Sequence, residues 1–118
     1  MKEIKAVIRP NKLPLLRDAL LAVPGFPGMT VTKVEGCSSP LRHIPGKVRI
    51  REELTDYSPK VRLEIVVADE FAEAIFQKIV ETAQTGHYGD GLVWMVEVEK
   101  AAFVFKTTSG PDEGGAQH

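Results

Sequence analysis

Two periodicities alternate along this chain, and their order limits the fold more than any single residue does. Residues 2–9 (KEIKAVIR) place Ile4, Ala6 and Ile8 on one face and Glu3, Lys5, Val7 and Arg9 on the other, the period-two pattern of a half-buried strand. Pro10 and Asn11 break it. Leu13, Leu16 and Leu20, with Ala19 beside them, then recur at helical spacing, and Pro14 falls in a first turn where its missing N–H costs nothing. Residues 13–22 therefore read as a short amphipathic helix, ended by Val23-Pro24-Gly25-Phe26-Pro27-Gly28. Residues 29–35 (MTVTKVE) and 60–67 (KVRLEIVV) read as the second and third strands. Asp69 is placed to cap a second helix, along which Phe71, Ala72, Ile75, Phe76, Ile79, Val80 and Ala83 repeat at helical spacing. Gly86 lies just past its end, the usual place for a left-handed residue. Residues 92–98 (LVWMVEV) supply a fourth strand, and Ala102 to Phe105 offer a short fifth.

The order β-α-β-β-α-β is that of an α+β, ferredoxin-like domain, with two helices on one face of a four-stranded antiparallel sheet. Phe71, Phe76 and Trp94 are expected in its core. The other sheet face needs its own cover, and Val7, Val66, Val93 and Met95 are the apolar residues available on opposite strand faces. Self-association would hide such residues, so a homo-oligomer is expected. The length, 118 residues, suits one domain. The formal net charge of -1 argues against direct nucleic-acid binding, which draws on clustered positive charge. No apolar run is long enough to insert in a bilayer, and the charged start MKEIK does not resemble a signal peptide. A single cysteine, Cys37, fits a reducing compartment, so a cytoplasmic location is expected. The tail 109–118 lacks apolar residues and is expected to be disordered.

One connection breaks the rules of a hairpin. Residues 37–59 separate strands two and three, where about two to five residues would do. The segment carries Arg42, Lys47, Arg49 and Arg51, acidic Glu52, Glu53 and Asp56, and apolar residues that end with Leu54 and Tyr57. Lys47 to Arg51 alternate and could form a strand against a partner. A solvated insertion is the plain alternative; a binding arm, with backbone donors and apolar anchors, is the reading preferred here. Between the second helix and strand four lies Thr85-Gly86-His87-Tyr88-Gly89-Asp90-Gly91. Closely spaced glycines let amides approach an anion such as phosphate, although Asp-Gly is also an ordinary turn.

Four blocks carry a family likeness: MKEIKAVIRPNKL at the start, GMTVTKVEG at 28–36, PKVRLEIVVADE at 59–70 and TGHYGDGLVWMVEVEKA at 85–101. In that order they resemble the PII signalling proteins, over residues 1 to about 108. The resemblance implies a ferredoxin-like homotrimer with adenine-nucleotide sites (ATP, ADP or AMP) in the clefts between subunits. It makes residues 37–59 the T-loop, which docks on a membrane transporter or a regulated enzyme. Carried over residue by residue, it marks Gly36 and Lys60 at the two ends of the loop, Thr30, Glu64 and Val66 as cleft positions, and Gly86, Gly89, Asp90 and Gly91 as the phosphate cradle. Arg42, Lys47, Arg49, Arg51 and Tyr57 become the partner-binding residues of the loop.

The chain also departs from that pattern. Leu92 stands where the family signature has Lys or Arg, and Phe103 and Phe105 stand where two arginines reach the phosphates. Each lost charge-assisted contact is worth about 1.5–3 kcal/mol. Glu53 falls near the family's modified tyrosine, and Cys37-Ser38-Ser39-Pro40 lacks the glutamine that assists magnesium and 2-oxoglutarate binding. The chain therefore reads as a divergent PII-like regulator. Two alternatives remain: a nucleotide-independent interaction module with a degenerate pocket, or a metal- or small-anion-responsive sensor linked to a transporter. Cys37 and His43 are too few for a structural zinc site, and no metal is assigned. No nucleophile has an evident base and orienting group, so no catalytic residue is assigned and an enzyme is not expected.

Overall fold

In the computed structural model of the chain, residues 1–37 and 57–105 are described. The elements are β1 (Lys2–Ile8), a 3-10 turn (Pro10–Lys12), α1 (Leu13–Leu21), β2 (Thr30–Gly36), β3 (Ser58–Val67), α2 (Asp69–Ala83) and β4 (Gly91–Glu97). The strands form one antiparallel sheet in the order β2-β3-β1-β4, so both central strands are flanked. This is the ferredoxin-like α+β arrangement that the order of periodicities predicts.

The core follows from register. Ile4 faces Ile65 and Met95 across its neighbours, and Ala6 faces Leu63 and Val93. Residues opposite one another share a sheet face. That face meets Leu16 and Leu20 of α1 and Ala72, Ile75 and Ile79 of α2 in one buried cluster. Removing each such large aliphatic side chain from water contributes roughly 1.5–3 kcal/mol.

The other face carries Glu3, Lys5 and Val7 of β1, Lys60, Arg62, Glu64 and Val66 of β3, and Leu92, Trp94 and Val96 of β4, and no described helix covers it. Val93 and Met95, offered above for the uncovered face, pack on the helix side instead, because Gly91 rather than Leu92 pairs with Ile8 and sets the register. The same register takes Trp94 out of the core, whereas Phe71 and Phe76 pack against it as expected.

Other expectations are corrected at element ends. Ala68, in extended conformation, caps α2; Asp69 is its first residue and pairs instead with the Met1 amino group at 3.1 Å. An acidic side chain there also complements the helix dipole. The helix stops at Ala83 with Gln84 extended, so Gly86 belongs to the following turn. Ser58 and Pro59 extend β3 by pairing with Gly36 and Glu35, which shortens the long connection to residues 37–57. Residues 101–105 form no fifth strand; Val104 is 97% exposed and so has no sheet to alternate against. The candidate strand 47–51 and the tail 109–118 lie outside the described residues.

Candidate functional site

The glycine turn is organised around a carboxylate of its own. Asp90 accepts hydrogen bonds from the Thr85 amide at 2.6 Å, the Gly86 amide at 2.8 Å and the Thr85 hydroxyl. The Arg9 guanidinium donates to Asp90 Oδ1 through Nε at 3.1 Å and to the Tyr88 carbonyl through Nη2 at 2.9 Å. Pairing of Ile8 with Gly91 brings these partners together: Arg9 leaves β1 where the turn enters β4. Burial pushes the Asp90 carboxyl up, but the bonds from Thr85, Gly86 and Arg9 outweigh it and hold the group well below the usual carboxylate range.

A second cation reaches the turn from β3. Lys60 Nζ donates to the Gly89 carbonyl at 2.5 Å. Burial lowers the Lys60 pKa, the neighbouring Arg9 charge lowers it further, and Asp90 opposes both. Gly36 packs against the Lys60 side chain, so a Cβ added at Gly36 would stand 3.3 Å from Lys60 Cγ. The foot of the long connection, the cation and the glycine turn thus form one contact chain.

An open cleft of about 590 Å³ lies over this chain. Its floor and walls include Val7, Leu92 and Trp94 on the apolar side, and Gly36, Lys60, Gly89, Asp90 and Gly91 on the polar side. Cys37, which is exposed, and His87 stand at its margin. The volume is that of a small-molecule site, typically about 300–1,000 Å³. The Trp94 side presents apolar surface, and the Lys60 side presents a cation.

Of the residues singled out in the sequence, Gly36, Lys60, Gly89, Asp90 and Gly91 come together in the cleft. Gly86 lies in the turn, but its amide is committed to Asp90. Thr30, Glu64 and Val66 do not line this cleft. Thr30 pairs with Glu64, whose carboxylate meets Lys5 at 3.7 Å, and Val66 pairs with Glu3, all further along the uncovered face. Tyr57, just before β3, is 62% exposed, while Arg42, His43, Lys47, Arg49 and Arg51 lie outside the described residues. Three contributors were not singled out: Arg9, Thr85 and the cleft side of Trp94. Arg9-Pro10 at the end of the alternating segment was the available signal, since a cation there must sit beside whatever precedes strand four. Among the described residues, no group of three or more His, Cys, Asp or Glu could hold a metal.

Fold and site together define a ferredoxin-like α+β domain with a ligand-sized cleft at the foot of a long inter-strand connection. A family profile described as Nitrogen regulatory protein P-II matches residues 1–108, and the chain belongs to that family. It is 43% identical to the Nitrogen regulatory protein P-II of Haemophilus influenzae over 101 residues, covering 86% of this chain and 88% of that protein. It is 39% identical over 116 residues to both the Nitrogen regulatory protein P-II of Klebsiella oxytoca and the Nitrogen regulatory protein P-II 1 of Escherichia coli K12, covering 98% of this chain and 99% of each. P-II proteins are regulatory signalling proteins, not enzymes. No described helix is long and apolar enough to cross a membrane.

Proposed function

We propose that this chain is a cytoplasmic P-II regulator, working as a homotrimer, in which an adenine nucleotide in the cleft biases the connection 37–57 between conformations that differ in affinity for a partner protein. The partner is a transporter or an enzyme. The observation that carries the reading is the Gly36–Lys60–Gly89 contact chain, which ties the foot of the connection to the glycine turn across the cleft. A phosphate that recruits Lys60 competes with the Gly89 carbonyl, so ligand and loop foot share one group. Such sharing gives a ligand different affinities for two loop states, which is the requirement for any population shift.

Isothermal titration calorimetry with ATP, ADP and AMP, each with and without magnesium, tests it. Heat with any of the three, with affinity weakened roughly tenfold or more in Lys60→Met, is the expected result. A second reading, a nucleotide-independent adaptor, is favoured by one observation: the Thr85 and Gly86 amides, which a phosphate would use, already serve Asp90. Absence of heat with all three nucleotides and no change in thermal stability decides for that reading.

A further inference from the structure

We infer that the protonated His87 ring is a phosphate contact of the cleft, so that an adenine nucleotide binds more tightly as pH falls through the imidazole range. The inference deepens the nucleotide reading above and rests on it. His87 stands at the margin of the cleft that Lys60 and Gly89 also line, and its ring is tied to the glycine turn: Nδ1 lies 3.3 Å from the Thr85 hydroxyl oxygen. The bonding of that hydroxyl decides which ring nitrogen carries the proton. A hydroxyl beside a carboxylate has to donate, and the one Thr85 hydroxyl proton goes to Asp90 Oδ1. The hydroxyl oxygen is left to accept twice, from the His87 amide at 3.3 Å and from the ring. Nδ1 is therefore the protonated nitrogen, and Nε2 keeps the lone pair.

Uptake of a proton at Nε2 breaks no bond in the turn. It adds one N–H donor and one positive charge at the cleft margin, and imidazole is the side chain that ordinarily titrates between pH ~5 and ~8. Asp90, reached through the Thr85 hydroxyl, favours the charged ring, whereas Lys60 of β3 and Arg9 at the end of β1 oppose it. Cys37 after β2 and Tyr88 in the turn are the other titratable side chains of the lining. Both neighbouring cations already have acceptors: Arg9 bonds Asp90 and the Tyr88 carbonyl, and Lys60 bonds the Gly89 carbonyl. A phosphate that recruits either of them displaces one of those bonds, while a proton on His87 Nε2 is offered without that cost. Leu92 brings no charge to the wall, so the ring's contribution weighs the more.

Isothermal titration calorimetry of the full chain with ATP, ADP and AMP, without magnesium and at pH ~6 and pH ~8, tests this in wild type, His87→Gln and His87→Arg. The nucleotide's own phosphate titration is common to the three proteins and drops out of their affinity ratios. Wild type is expected to bind roughly tenfold more tightly than His87→Gln at pH ~6 and to match it at pH ~8. His87→Arg, whose charge is fixed, is expected to exceed His87→Gln by the same factor at both. Titrations in two buffers of different ionisation enthalpy count protons, and wild type is expected to take up more of them per bound nucleotide than His87→Gln. A ratio of wild type to His87→Gln that is the same at both pH values, or equal proton uptake by the two, overturns the inference and leaves the nucleotide reading standing. Heat from none of the three nucleotides at either pH overturns both.

Discussion

Arg9 and Asp90, at the end of β1 and the entry to β4, are joined by a guanidinium–carboxylate contact of 3.1 Å, with the carboxylate also held by two amides and a hydroxyl. Because the folded-state pKa of Asp90 is depressed, this contact stabilises the fold fully above the unfolded carboxylate value of about 3.9, and is lost as pH falls through the lower folded value. Asp90→Asn keeps the shape but not the charge. It is expected to cost about 1.5–3 kcal/mol at neutral pH, the range for hydrogen bonds to a charged group. Urea unfolding at a series of pH values checks this: the gap between wild type and variant should narrow from pH ~4 downward, and a constant gap would contradict the assignment.

Gly91 is constrained by a close approach as well as by its backbone angle. Its φ is +117°, and an added Cβ would stand 1.8 Å from the Val7 carbonyl oxygen, where neither strand can yield without breaking the β1–β4 ladder. Gly86 shares a positive φ of +89° but has nothing within 4 Å of an added Cβ. Gly91→Ala is therefore expected to cost at least ~3 kcal/mol, in the tail reserved for backbone collisions, while Gly86→Ala costs ~1 kcal/mol from conformation alone. Denaturant midpoints of the two variants, measured side by side, decide the point; equal losses would mean that the turn relaxes freely.

Lys60 serves the turn and, in the proposed reading, the ligand. Lys60→Met keeps the length and the packing against Gly36 but removes the donor to the Gly89 carbonyl. A stability loss of only ~1 kcal/mol is expected, since that carbonyl lies at an open cleft and water can replace the lost donor. Nucleotide affinity should fall by roughly tenfold or more, the value of one charge-assisted contact. Calorimetry and unfolding on the same preparation separate the two roles, and an unchanged affinity would remove Lys60 from the site.

The fold was legible because its core positions alternate cleanly: Ile4, Ala6 and Ile8 in β1 and Val61, Leu63, Ile65 and Val67 in β3 all point one way. Strand four was harder. Leu92, Val93, Trp94, Met95 and Val96 are all apolar, so composition gives no face, and only pairing of Gly91 with Ile8 decides which residues look inward. The glycine turn was visible as a turn, yet the use of its amides was not. Whether an Asp in such a turn points out to solvent or folds back on Thr85 and Gly86 depends on Arg9, a residue 81 positions away. Asp69 shows the same limit at a helix start. The local pattern favours Asp69 over Ala68 as the cap, yet Ala68 holds that position and Asp69, one residue further in, pairs with the Met1 amino group that the sheet brings alongside.

Leu92 offers the sharpest test of what the cleft takes. It is 63% exposed, lines the apolar wall, and is on the same sheet face as Lys60 through the β1 residue Val7. A lysine at this position can keep its aliphatic stem along the wall and its ammonium in water, so Leu92→Lys is expected to change stability by no more than about 0.5 kcal/mol. Toward a ligand the effect is different in kind. The added ammonium offers a charge-assisted contact worth about 1.5–3 kcal/mol, which corresponds to a gain of roughly ten- to a hundredfold in affinity. The gain should grow with the number of phosphates on the nucleotide, because Coulomb attraction rises with the charge it meets. Parallel titrations of wild type and Leu92→Lys with AMP, ADP and ATP check this. A gain ordered ATP above ADP above AMP places the phosphates beside residue 92; a gain equal for all three, or none, places them elsewhere in the cleft.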